Sequence, residues 1–192
     1  RCYGNASFSI NLELCNRITV GDNIVNTTNL GIRAFNTLDS VIVGNTIEMD
    51  STFYLHTGIL VESGVGAQGT TYKQRPCNNI QISSNMVKSI GSEGMPLKVA
   101  TDSGYGDNTN IMINDNIITN TVTSKGVEIR GNDVTLTKNK ITGVVSFDSG
   151  GGFMTIDSNE ISYFNAPSGF NLLTVNNGSY YVVKGNLFRA NQ

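Results

Sequence analysis

One arrangement of apolar and polar positions recurs along the chain. In Asn78 to Val87 it runs apolar, polar, apolar, then two small or polar residues, Asn, any residue and a final apolar one. Ile18-Thr19-Val20 leads in this way to Asn23 and Val25. Val41-Ile42-Val43, with one spacer fewer, leads to Asn45 and Ile47. Ile80-Gln81-Ile82 leads to Asn85, Ile111-Met112-Ile113 to Asn116, and Val134-Thr135-Leu136 to Asn139. Met154-Thr155-Ile156 leads to Asn159, and Tyr181-Val182-Val183 to Asn186. Alternation over a few positions predicts a strand with one buried face. Return of the motif every ~20 to 40 residues predicts a repeat architecture, each unit burying its face against its neighbours.

A second strand signal lies between most copies. It is a Gly followed by alternation, at Gly31-Ile-Arg-Ala-Phe, Gly58-Ile-Leu-Val-Glu, Gly94-Met-Pro-Leu-Lys-Val, Gly126-Val-Glu-Ile-Arg and Gly169-Phe-Asn-Leu-Leu. Val145-Ser-Phe-Asp148 fills the same slot without its Gly in phase, and Ser7 to Cys15 reads as a strand of the first coil. Two short strands per repeat with sharp bends make one coil of an all-β parallel solenoid. The Asn residues are expected to take left-handed bends and to stack their amides as a ladder. The alternation points Ile80, Ile82, Ile111, Ile113, Ile59, Val61, Leu97, Ile129, Phe147, Phe170 and Leu172 inward. Three stretches break the rhythm, at 48–57, 63–79 and 100–110. The last two follow equivalent second strands and should leave the coils on the same side.

Length and composition fit one domain over residues 1–192, turn-rich and without long helical patterns. A net charge of −2 argues against an electrostatic nucleic-acid binder, and no apolar run reaches the ~20 residues of a membrane span. The chain opens at Arg1 without Met or a secretory signal, and neither end reads as a capping helix, so it is expected to be a processed product or a fragment. Cys15 and Cys77 each stand eight residues before a repeat Asn, which reads as a small buried filler position with another coil between them, not a disulfide. The single histidine, His56, rules out a histidine-cluster metal site, and no cofactor is implied. Three glycosylation sequons, at Asn5, Asn26 and Asn177, are no more than an Asn-rich chain produces by chance.

Candidate chemistry sits on the outward positions of the second strands. One column is expected to run Arg33, Leu60, Pro96, Glu128, Ser146, Asn171, the other Phe35, Glu62, Lys98, Arg130, Asp148, Leu173. Coils ~4.8 Å apart make these neighbours. The plainer expectation is a surface salt ladder, Glu62 with Lys98 and Arg130 with Asp148. The sharper one pairs Glu128 and Asp148, diagonal across adjacent coils at ~8 Å, as acid and base of an inverting glycosidase. Glu128, expected to be the deeper carboxyl, would be the acid. Tyr72, Arg75 and Tyr105 on the insertions, with Lys98 and Arg130, offer the aromatic faces and planar donors that sugars need.

These interleaved copies cover nearly the whole chain and resemble the right-handed parallel β-helix of pectate-lyase-like proteins, here about eight coils with an Asn ladder. Irregular coil lengths and richness in Asn and Thr look most like a bacteriophage tailspike or tail-fibre β-helix. That resemblance implies a homotrimer on the virion tail, binding bacterial capsule or lipopolysaccharide O-antigen, with or without endo-glycosidase activity. No compact Asp cluster of the pectate-lyase kind is present, and no glycosidase motif carries over residue by residue. Two other readings stand beside it: a non-enzymatic shaft or adhesin module, and a secreted or cell-surface bacterial enzyme of lyase or epimerase type.

Overall fold

The computed structural model describes residues 2–4, 8–50, 56–64, 75–91, 94–101, 106–120, 125–148, 152–164, 171–176 and 180–191. Among these, the regular structure is entirely β, in three parallel sheets of eight, seven and seven strands. The chain visits the sheets in rotation. The first sheet comprises Cys2–Gly4, Ile24–Thr27, Thr46–Met49, Met86–Ser89, Ile117–Asn120, Lys140–Thr142, Glu160–Phe164 and Leu187–Asn191. The second comprises Phe8–Glu13, Leu30–Phe35, Thr57–Ser63, Met95–Thr101, Lys125–Arg130, Val144–Asp148 and Leu173–Asn176. The third comprises Thr19–Gly21, Leu38–Val43, Asn78–Ser83, Thr109–Asn114, Asn132–Thr137, Phe153–Asp157 and Tyr180–Lys184. Each strand pairs with the one a full turn away, as Ile111 does with Ile80 and Val134. A chain that returns in parallel to the same sheet takes the right-handed sense. The described strands form a parallel β-helix of seven complete coils and one further strand.

Each coil has three strands, not two. The short tail after each repeat Asn is a strand of its own, as in Met86–Ser89, where only Val87 and Ser89 face in. Its brevity hid it, since one apolar residue shows no period. The apolar residues of all three sheets meet in one core, with Ile80, Ile82, Ile111, Ile113, Leu97, Ile129 and Phe147 wholly buried. At ~25 cal/mol per Å² of apolar surface this column is the main stabilising term.

The ladder is continuous from Asn23 through Asn45, Asn85, Asn116, Asn139 and Asn159 to Asn186. Each backbone N–H donates to the Oδ1 of the next rung at 2.9–3.1 Å. Each Nδ2 donates to that same Oδ1 at 2.9–3.0 Å. The left-handed bend belongs to the residue before each Asn, contrary to the sequence expectation. Asp22, Ser84, Asp115, Lys138 and Ser158 have φ of 55–56°, and Gly44 and Gly185 take the same turn. Bending one residue early leaves the Asn side chain free to point along the helix axis and meet its neighbours.

Cys15 and Cys77 do occupy one slot, with Thr37 of the intervening coil between them, because Asn16 pairs with Leu38 and Leu38 with Asn78. Both thiols are free. The Thr37 N–H donates to Cys77 Sγ at 3.3 Å. Burial, partly offset by backbone hydrogen bonds, pushes the Cys77 thiol up to about 11. That suits a core filler and not a nucleophile.

Candidate functional site

The second sheet decides which outward side chains meet. Its register differs from the expected one by two residues at Met95–Thr101. Leu60 pairs with Lys98 and Glu62 with Ala100, whereas Pro96 lies opposite Gly58. The cause is Met95, which pairs with Thr57 and adds one more inward residue before Leu97. Gly58 permits this close approach, since a Cβ there would stand 2.6 Å from the Pro96 carbonyl oxygen. At Leu173–Asn176 the register again departs. Leu173 pairs with Val145 and faces in, so Thr174 joins Ser146 outside, and Asn176 pairs with Asp148.

The outward column therefore runs Arg33, Leu60, Lys98, Glu128, Ser146, Thr174. The expected Glu62–Lys98 pair does not form, and both residues have other partners. Arg33 binds Glu62, with Nε and Nη2 both donating to Oε2 at 3.0 and 2.8 Å. Lys98 binds Glu128 at 2.9 Å. Arg33 also stacks between the rings of Phe8 and Phe35, at 4.8 and 4.0 Å from their centroids. Phe35 faces outward yet is only 2% exposed, and Leu60 8%. The middle of this face is thus packed.

Glu128 and Asp148 keep the expected diagonal relation: Glu128 pairs with Ser146 and Arg130 with Asp148. The side chain of Asp148 lies outside the described residues. Glu128 is not the enclosed carboxyl that was expected, for its side chain is 44% exposed and faces Lys98 directly across the strands. Arg130 is exposed and takes part in no ion pair among the described residues. Tyr72 and Tyr105 also lie outside the described residues.

Arg75 is placed, and it is engaged within the chain. Its Nε donates to the Asn36 carbonyl at 3.0 Å, and its Nη2 to the carbonyls of Leu14 and Cys15 at 3.2 and 3.0 Å. Leu14 and Asn36 are left-handed corner residues of successive coils, with φ of 55° and 50°. The guanidinium caps the Leu14 and Asn36 carbonyls at the corner and adds a second bond to the Cys15 carbonyl, which already accepts the Leu38 N–H. Sequence reasoning passed over Arg33 as a site residue; its spacing from Glu62 was available, but only the true register shows that they touch.

Among the described residues no group of three or more His, Cys, Asp or Glu could hold a metal ion. What this face offers is hydrogen-bonding chemistry: two charged pairs held side by side on adjacent coils beside an aromatic base. Compared with protein-family models, curated proteins and solved structures, the chain finds no match.

Proposed function

We propose that the chain is a polysaccharide-recognising β-helix segment of the tailspike kind, taking bacterial capsule or lipopolysaccharide O-antigen on the outward face of its second sheet. The observation that carries this reading is the row Arg33–Glu62 and Lys98–Glu128. Guanidinium, ammonium and carboxylate groups are fixed at the coil spacing of ~4.8 Å, and charged groups of this kind bind hydroxyls more strongly than neutral ones. The connections 64–77 and 102–108 both follow strands of this sheet, and connections are where binding residues concentrate. In this reading the parent assembly is a homotrimer on a virion tail.

Hydrolysis is the finer proposal. Glu128 and Asp148, one strand and two residues apart, are separated by ~8 Å on strand geometry, enough for a water between them. A second reading, a non-enzymatic shaft or adhesin, is favoured by the Lys98–Glu128 contact, which occupies the supposed acid. Binding to immobilised capsular and O-antigen polysaccharides, with release of reducing ends measured in parallel, tests all three. Recognition predicts binding that Lys98→Ala weakens about ten-fold. Absence of binding across the panel would sink recognition. Binding without reducing ends would leave the adhesin and remove the glycosidase.

A further inference from the structure

A second column of polar side chains, unconnected with the second-sheet face, runs along the corner where the chain enters the third sheet. Asp39, Asn79, Asn110 and Asp133 stand one above another, because the residues before them, Leu38, Asn78, Thr109 and Asn132, pair in sequence. All four hold a left-handed backbone, with φ of 48°, 55°, 52° and 53°. Asx residues adopt this conformation at little cost, and the corner fixes where their side chains project. The amides are tied head to tail. Asn110 Nδ2 donates to Asn79 Oδ1 at 3.2 Å, and Asn79 Nδ2 donates to Asp39 Oδ1 at 2.8 Å, both at the surface. Each Asn keeps a second N–H, and each Asp a second oxygen, beyond these bonds. The connections 64–77 and 102–108 lead into two of these strands, at Asn78 and Thr109.

The same column ends in two aromatic rings. Val134 pairs with Met154 and Met154 with Tyr181, so Asp133 is followed by Phe153 and Tyr180. The rings stack with centroids 4.9 Å apart and planes 20° from parallel. Each is 62% exposed. Stacking takes one face of Phe153, so exposure on that scale leaves its other face open, toward Asp133. Asp133 Oδ1 accepts the Phe153 N–H at 3.1 Å, which fixes the carboxylate beside the ring.

We infer that this corner is a carbohydrate-binding strip, in which a sugar packs its C–H face on Phe153 and hydrogen-bonds Asp133, while the chain of sugars continues over Asn110, Asn79 and Asp39. An apolar ring face beside a fixed carboxylate, followed by planar amides at ~4.8 Å intervals, is the mixture that a pyranose presents in mirror image: an apolar face and a rim of hydroxyls. The inference shares its ligand class with the proposed function but not its site.

The test measures binding of the whole chain to the same immobilised capsular and O-antigen polysaccharides, comparing Phe153→Ala, Tyr180→Ala and Asp133→Ala with Lys98→Ala on the second sheet. Folding of each variant is checked by its far-ultraviolet spectrum and melting temperature. The expected result is a loss of affinity of about ten-fold or more for Phe153→Ala, with a smaller loss for Asp133→Ala. Tyrosine fluorescence should change on binding in the wild type and lose most of that change in Tyr180→Ala, since the chain has no tryptophan. Binding that all three corner variants leave within two-fold of wild type overturns the strip and leaves polysaccharide recognition standing. Loss with the corner variants but not with Lys98→Ala supports the strip and removes the second-sheet site. No binding by the wild type overturns both.

Discussion

Removing a central rung of the ladder should cost far more than removing the last one. Asn116 Oδ1 accepts the Asn85 N–H at 2.9 Å and Asn85 Nδ2 at 3.0 Å. Its own Nδ2 donates to the carbonyls of Ile82 and Asn114 at 2.9 and 3.0 Å, and to Asn139 Oδ1 at 2.9 Å. The side chain is 1% exposed, so water cannot replace these partners without disrupting the coil. Asn116→Ala strands the buried Asn85 N–H, at about 1–3 kcal/mol, and removes several further bonds worth about 0.5–1.5 kcal/mol each. A total of roughly 3–5 kcal/mol follows, a large share of the stability of an ordinary domain. Asn186 has a rung on one side only and is half-exposed, so Asn186→Ala should cost about 1–2 kcal/mol. Asn116→Asp separates hydrogen bonding from cavity formation. It keeps the shape but turns an acceptor oxygen toward three others, and should be at least as damaging as alanine. Urea unfolding followed by circular dichroism and by tyrosine fluorescence gives the free energies, with the slope reporting any partial unfolding. A loss below about 1 kcal/mol for Asn116→Ala, or equal losses at the two rungs, would refute the ladder's stabilising role.

Arg75→Ala should destabilise the first two coils by about 1–3 kcal/mol, because it removes the bonds to the Leu14 and Asn36 carbonyls and one of two on Cys15; hydrogen exchange should quicken around Leu14 and Asn36 before the central coils. Cys77 holds its proton up to about 11 when folded against an ordinary value of 9.0, so the unfolded chain binds fewer protons between these values and stability falls as pH rises through that window. At about 1.4 kcal/mol per unit the loss is about 2–3 kcal/mol, and Cys77→Ala should flatten this alkaline limb in urea titrations at about pH 9 and 11.

Much of the fold was legible because its largest energetic term is written as a period. Ile80 and Ile82, or Ile111 and Ile113, must face one way, and seven repeats of that choice with an Asn at fixed distance leave little but a solenoid. The third strand of each coil was not legible, since Val87 alone cannot display an alternation. Nor was the residue that bends. Asn was the reasonable candidate for a left-handed turn, yet the ladder needs its side chain elsewhere, and Lys138 takes the turn despite its poor intrinsic fit.

Site residues are harder to read for a reason that follows from the same architecture. Inward positions are specified locally, by what each strand must bury, and tolerate no shift by one residue. A shift by two keeps every apolar residue inside and moves every outward neighbour to a new partner. Met95 does this: it lengthens the inward run, so Lys98 meets Leu60 and Glu128 in place of Glu62 and Arg130. Glu62 then turns to Arg33, which packs on Phe35. One extra buried methionine thus gives Glu62 and Lys98 new partners without altering the fold. Corner residues such as Asp39, Asn79, Asn110 and Asp133 escape that ambiguity. Each immediately precedes a buried residue whose register the core has already fixed, as Asn79 precedes Ile80 and Asp133 precedes Val134. A column whose neighbours follow directly from the core residues is more legible in the sequence than one whose pairing the alternation leaves open by two.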